Sequence, residues 1–385
     1  MNKIAFITTR KFDSFGGIER YISNLYKHYN GFDGNMVFLC PLGSQSKLFK
    51  NRQIKSEFYE NNFKPINGFF RFLNPLKTIL SLNKQVRDKF KRLAPNLVLT
   101  RDWEGVILSI LSIGRVPVYF MPGSLLKMDL RFDNEFYGSL FYRLSRMLQT
   151  KIRVFLESVA FRYSYKIIVF SKAFKQRIID NYKINHKKIY VIPMGIDISY
   201  VKNGGAIEKN LIFSACRLTK SKNIHLGLET MRQLNGFKWV IAGDGPDRED
   251  IENRIRELCL KNKVVLLGQL KNLADYYEKC DIFIHFSYYE NFGQVLLEAM
   301  SYGKPPIVLN PHGPSIFTAS GEIIQDGYNG FFVENDPYKT AERIRYVANL
   351  DKKKISENCK EFVKRYSFEN HINELFKVIN EDLHG

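Results

Sequence analysis

Cysteine, long apolar runs and, in one half, acid are what this chain of 385 residues has little of. Its five cysteines, Cys40, Cys216, Cys259, Cys280 and Cys359, are odd in number, widely scattered and never in a CxxC pair. That excludes a disulfide framework and a zinc ribbon, and it predicts free thiols in a reducing compartment. The opening stretch, MNKIAFITTRKF, has a four-residue apolar run, short of the roughly 7–15 residues of a signal-peptide core. No stretch reaches the roughly 18 apolar residues of a membrane span; the best candidate, residues 106–121, is broken by Arg115. These absences predict a soluble, cytoplasmic protein. What is present, 45% apolar and 25% charged residues, is the balance of an ordinary globular chain and excludes disordered, collagenous and coiled-coil classes. The length implies two domains at roughly 100–200 residues each.

Acid is scarce on one side only. Residues 1–205 carry 34 basic and 14 acidic side chains, a net of +20, whereas residues 206–385 carry 24 and 25, a net of −1. Such asymmetry points to a first half that meets an anionic partner. Residues 64–92 hold eight basic residues against Asp88, and residues 143–188 hold twelve against Glu157 and Asp180. Both read as amphipathic helices, through Leu73, Leu76, Leu80, Val86, Phe90 and Leu93 in one, and through Phe136, Leu140, Leu144, Met147, Leu148, Ile152, Phe155, Leu156 and Val159 in the other. A core-packed stripe with a solvated basic face is the plainer reading of either helix. The excess over the whole half favours an anionic membrane or a lipid-linked phosphate. Nucleic acid ranks last, because no RNP, KH, zinc-finger or helix-turn-helix signature is present.

Short apolar runs at residues 3–8, 36–40, 97–100, 116–120 and 166–170 alternate with helical patterns, and a second such series runs from residue 211 to 333. Alternation at this spacing predicts two doubly wound α/β domains that face each other across a cleft. The boundaries fall at 1–195 and 206–365, with residues 366–385 returning to complete the first domain.

Four clusters carry candidate chemistry. The first runs from Glu290 to Glu298. It follows a strand at residues 282–285 and opens a helix near Phe292, so the amides of Phe292, Gly293, Gln294 and Val295 would form an anion site between two carboxylates. The second places Arg217 and Lys222 in the loop after the strand at residues 211–215, a fork and a point charge suited to a diphosphate. The third is Gly16-Gly17 at the first strand-to-helix turn. The fourth is the turn Gly243-Asp244-Gly245-Pro246.

Together these clusters resemble the retaining GT-B glycosyltransferases of family 4, also called group 1. The pattern EX7E at Glu290–Glu298, RLxxxK from Arg217 to Lys222, GDGP from Gly243 to Pro246, GxD from Gly195 to Asp197 and the early glycine pair occur in that family's order. The stretch from Glu298 to Pro305 is similar to its EAMAxGxP segment, and the stretch from Gly327 to Phe331 to its DGxNG turn. The resemblance implies a nucleoside diphosphate sugar as donor and no metal or other cofactor. Arg217 and Lys222 would stabilise the leaving diphosphate, Glu290 would bind the transferred sugar, Glu298 the ribose, and Gly16 and Gly17 the diphosphate from the first domain. It further implies a glycan or lipid-linked acceptor, and no side-chain nucleophile is assigned. A GT-B nucleotide-sugar epimerase, and a basic membrane- or polyanion-binding protein with a dead site, are the alternatives. Two departures stand out. The stretch from Tyr119 to Gly123 lacks the histidine that the family often has there, with Asp102 a candidate substitute, and residues 311–322 are longer than the family's usual turn.

Overall fold

The structure is a computed structural model and describes residues 3–9, 21–22, 24–25, 35–41, 56–59, 69–128, 140–197 and 206–384. Contacts divide the chain into two compact units. Met1–Phe170, Lys175–Ile192 and Ile372–Gly385 form the first; Ser171–Phe174 and Pro193–His371 form the second.

The first unit is built on seven parallel strands: β1 (Lys3–Ile7), β2 (Asn35–Pro41), β3 (Ser56–Tyr59), β4 (Leu97–Thr100), β5 (Val118–Phe120), β6 (Lys166–Val169) and β7 (Ile189–Val191). Their order is β3-β2-β1-β4-β5-β6-β7. Ile4 of β1 lies opposite Met36 on one side and Leu97 on the other. Parallel strands covered on both faces lose alternation, which is why Ile4, Ala5, Phe6 and Ile7 are all buried. The connections include helices α1 (Asn74–Leu93), α2 (Trp103–Ile113), α3 (Leu140–Tyr163) and α4 (Lys172–Tyr182). Pro75 sits in the first turn of α1, where its missing N–H costs nothing. Asp102 caps α2 by accepting from the Gly105 amide at 2.7 Å.

The second unit has six parallel strands: β8 (Leu211–Ala215), β9 (Lys238–Ala242), β10 (Val264–Gly268), β11 (Ile282–His285), β13 (Pro306–Leu309) and β15 (Phe331–Val333). They run β10-β9-β8-β11-β13-β15, and a separate pair joins β12 (Tyr289–Glu290) to β14 (Phe317–Thr318). Its helices are α5 (Ile224–Arg232), α6 (Arg248–Glu257), α7 (Ala274–Lys279), α8 (Gln294–Ser301), α9 (Ser320–Ile323), α10 (Pro337–Asn349) and α11 (Lys353–Val363). The last helix, α12 (Phe368–His384), begins in this unit and passes at Ile372 into the first. There Asp382 pairs with Lys166 at 2.7 Å and accepts from the Tyr119 hydroxyl.

Strand order reverses between β8 and β11. In open α/β sheets such a reversal leaves a crevice at the carboxyl ends, where ligands bind. The buried Trp239 indole donates to Ser214 Oγ at 2.9 Å, and Ser214 donates to the Ile284 carbonyl at 2.8 Å. One chain of bonds thus ties β9, β8 and β11 together at that reversal.

Three expectations are corrected. On α1 the buried residues are Pro75, Ile79, Leu82, Val86 and Phe90; the expected stripe is buried at Val86 and Phe90, but Leu76 and Leu80 face solvent and Ile79 and Leu82 take their place inward. On α3 the first half is exposed rather than core-packed, including Leu140, Leu144 and Met147, and Phe155 in the second half is exposed as well. The helix after Glu290 starts at Gln294 rather than near Phe292, because Gly293 is left-handed at φ 95° and cannot continue a helical turn. Phe136 lies outside the described residues.

Candidate active site

Two loops at the strand reversal carry the site. After β8 the chain runs through Cys216 and Arg217 to a single 3-10 turn, Lys220–Lys222, and enters α5 through Asn223 in the left-handed region. The GDGP turn braces this loop. The Leu218 amide donates to the Asp244 carbonyl at 3.0 Å, and the Asp247 amide to the Leu218 carbonyl at 3.2 Å. Gly243 has φ 137°, and a Cβ there would stand 1.8 Å from the Cys216 carbonyl oxygen. Only glycine lets these backbones come so close. The motif's first job is therefore to fix the loop that carries Arg217 and Lys222.

After β11 the chain turns through Phe286, Ser287 and Tyr288 to Glu290 in β12. The Tyr288 amide donates to the Ser221 carbonyl at 2.8 Å, and Ser287 Oγ contacts the same oxygen at 3.2 Å. The two loops are thus stitched together by backbone. The result is a direct ion pair, Lys222 Nζ to Glu290 Oε2 at 2.6 Å, with side chains 16% and 26% exposed. His285, buried at the end of β11, brings Nε2 to 3.4 Å from the same oxygen. Ser171 Oγ donates to the Asn291 carbonyl at 2.6 Å and holds the next residue of the loop. Beneath Glu290, beside Ser287, Thr318 and Ser320, about 10 Å³ is open to the centre of a water, room for one molecule.

The electrostatics follow from this packing. Burial alone would raise the Glu290 carboxyl, but the Lys222 ammonium and then His285 overcome it and hold the group well below the usual carboxylate range. Burial lowers His285, so its imidazole is neutral. Opposite a carboxylate, which only accepts, the tautomer protonated on Nε2 serves the contact. Burial also pushes the Cys216 thiol up to about 11 against the pull of Lys222, so no thiolate nucleophile forms here.

Glu298 lies on α8, half-buried, and its Oε2 accepts from the Tyr277 hydroxyl at 3.0 Å. Tyr277 is itself buried and stacks on Tyr302 at 5.4 Å between ring centroids. At the start of α8 the Gln294 side chain donates to the Gly195 carbonyl at 3.4 Å. Phe292 is buried with its ring 5.9 Å from Tyr366, and Val295 is half-buried.

Of the residues singled out by sequence, Lys222 and Glu290 are in contact, and Gly293, Gln294, Val295 and Glu298 follow on the helix that Glu290 precedes. Arg217 is exposed in the braced loop, five residues before Lys222. Gly16 and Gly17 lie outside the described residues. Asp102 does not stand in for the missing histidine. Its carboxylate accepts from Thr8 Oγ1 at 2.8 Å, the Thr9 amide at 3.0 Å and the Gly105 amide, so it is held as a cap and a tie between strand ends. Sequence reasoning missed His285, Tyr277, Ser287 and Ser171. His285 had one available signal, its place as the last residue of an apolar run just before Glu290.

Two family profiles match this chain almost end to end: the one described as Glycosyltransferase Family 4 over residues 15–200 and the one described as Glycosyl transferases group 1 over residues 199–366. The chain belongs to the group 1 glycosyltransferases. Among its relatives, an uncharacterised glycosyltransferase of Methanocaldococcus jannaschii is 30% identical over 57% of this chain and 60% of its own. The N-acetylgalactosamine-N,N'-diacetylbacillosaminyl-diphospho-undecaprenol 4-alpha-N-acetylgalactosaminyltransferase of Campylobacter jejuni is 29% identical over 48% of this chain and 51% of its own. The match thus spans about half to three-fifths of these relatives' length. Crystalline Anabaena HepE with UDP and glucose aligns over 99% of this chain and all of its own, at a TM-score of 0.75 and 18% identity, and shares the GT-B fold.

Proposed function

We propose that this protein is a retaining glycosyltransferase. It moves a sugar from a nucleoside diphosphate sugar to a glycan or lipid-linked acceptor in the synthesis of a cell-surface polysaccharide or glycoconjugate. The observation that carries the reading is the Lys222–Glu290 pair at the strand reversal, with Glu298 on the helix that follows. Lys222 and Arg217 meet the charge that grows on the departing diphosphate, so no metal ion is assigned. Glu290, kept ionised, accepts hydrogen bonds from hydroxyls of the transferred sugar. The backbone at Phe292, Gly293, Gln294 and Val295 lies against sugar and phosphate, and Glu298 accepts from the ribose hydroxyls. The acceptor oxygen attacks the anomeric carbon on the face the phosphate leaves. The carbon–phosphate-oxygen bond breaks, and the acceptor proton passes to that phosphate oxygen.

HepE, which shares the fold, crystallised with UDP and glucose, and the Campylobacter relative is named for a diphospho-undecaprenol acceptor. Both support a donor and an acceptor of these classes. The +20 charge of residues 1–205 supports a peripheral place on the anionic, cytoplasmic face of a membrane, where such acceptors are anchored. A thermal-shift screen against a panel of nucleotide sugars, followed by product analysis with and without acceptor, tests the reading. Arg217→Ala should cut transfer by about 100-fold with the fold intact. Epimerised free nucleotide sugar as the product, or unchanged transfer in that variant, would overturn it.

A further inference from the structure

We propose that helix α3 anchors the first unit by inserting an apolar stripe into the interface of an anionic bilayer. The proposal rests on the membrane-associated reading above and adds the surface and the mode of binding, insertion rather than adsorption by charge alone. In α3, Leu140 is 68% exposed, Phe141 70%, Leu144 38%, Met147 41% and Phe155 66%. At about 100° per residue these five fall within an arc of about 120°, the width of a stripe that a packed helix would turn inward. Here Ser145 is the single buried residue between positions 140 and 155, and the helix packs its core contacts later, through Leu156, Ala160 and Phe161. The 3-10 turn Phe69–Leu73, which packs against α3, leaves Phe70 61% exposed.

Charge selects the occupant. The helix carries Arg143, Arg146, Lys151, Arg153 and Arg162, and its only acid, Glu157, is buried, accepting from the Leu126 amide and the Tyr182 hydroxyl. At about 100° per residue Lys151 and Arg162 fall inside the arc of the stripe and Arg143 beside it, so among the described residues the outward face of α3 itself is apolar and positive, with its one acid turned inward. A second copy meeting this face by a two-fold axis would set cations against cations. An anionic leaflet instead neutralises them while its acyl boundary takes the apolar stripe, the pattern of helices that lie in the interface plane. Lys151 falls inside the stripe, and its long stem lets the ammonium reach the headgroups while the rings sink.

The test uses the full chain and vesicles of phosphatidylglycerol and phosphatidylcholine in equal parts, or of phosphatidylcholine alone. Trp103 and Trp239 are buried, so Phe141→Trp gives a surface reporter. Its emission should shift blue on the anionic vesicles and be quenched by brominated acyl chains. Part of the binding should survive high salt, since insertion is not screened as charge is. Leu140→Ser, Phe141→Ser and Phe155→Ser together should keep Tm and donor hydrolysis but lower vesicle partitioning by about 30-fold or more. Binding that salt erases, that the serine variant keeps and that leaves the reporter unquenched overturns insertion while leaving membrane association standing. No binding to anionic vesicles even at low salt overturns both. A blue shift on concentration without vesicles, with a doubled mass in solution, makes the stripe a contact between copies and overturns the proposal.

Discussion

Replacing Lys222 by Met keeps most of the side chain's length and apolar stem but deletes the ammonium 2.6 Å from Glu290 Oε2. Two unit charges at such a distance attract by about 6 kcal/mol at an effective dielectric constant near 20, and the desolvation of both groups offsets much of that. A coupling of about 1–3 kcal/mol between the two side chains is the expected remainder. Its sign with pH is fixed by the shift of Glu290. In the wild type the folded-state pKa lies below the usual carboxylate range, with Lys222 the strongest lowering influence. The group therefore contributes stability above its unfolded pKa, and this is lost as pH falls through the folded pKa. Without Lys222 the largest lowering influence is gone and only His285 opposes burial, so the half-buried carboxylate is most costly near neutral pH and protonation relieves it. Urea unfolding of the wild type, Lys222→Met, Glu290→Gln and the double variant, at about pH 7 and about pH 4.5, measures this. Lys222→Met should lose most stability at the higher pH, and adding Glu290→Gln should restore much of the loss. Equal losses at both pH values, or effects of the two substitutions that add within about 0.5 kcal/mol, would refute the reasoning.

Two further predictions concern the ligand and the brace. Glu298→Ala should weaken binding of a nucleoside diphosphate without sugar, measured by calorimetry, whereas Glu290→Ala should leave that affinity nearly unchanged and damage transfer; the opposite pattern would exchange their roles. Gly243→Ala, which must place a Cβ against the Cys216 carbonyl at positive φ, should cost more than about 1 kcal/mol in unfolding free energy and weaken nucleotide binding by moving the Arg217 loop, while unchanged binding would mean that the brace does not position it.

Much of the fold was legible because parallel strands buried on both faces announce themselves as apolar runs. The runs LIFSA and IFIH mark β8 and β11, and the turn residues between runs mark the helices. The short edge strands β3 and β7 were not anticipated: SEFY and IYV are too brief, and β3 too polar, to stand out from a loop. The site was legible as two clusters after two strands, but sequence spacing cannot show that residues 222 and 290 meet. That contact follows from the strand order, which sets β11 beside β8, and order is a tertiary property. His285 and Tyr277 were hidden for a related reason, since each acts through a carboxylate on a later element, Glu290 for His285 and Glu298 for Tyr277. What composition states and periodicity obscures is the outward stripe of α3. The same leucines and phenylalanines would have read identically on a helix packed into the core, because periodicity reports that a face exists and not which way it points. The charge excess of the first half was the one feature of the sequence that pointed toward an anionic surface. The exposed stripe now gives that surface an apolar component as well as a charge, with a salt dependence that separates the two.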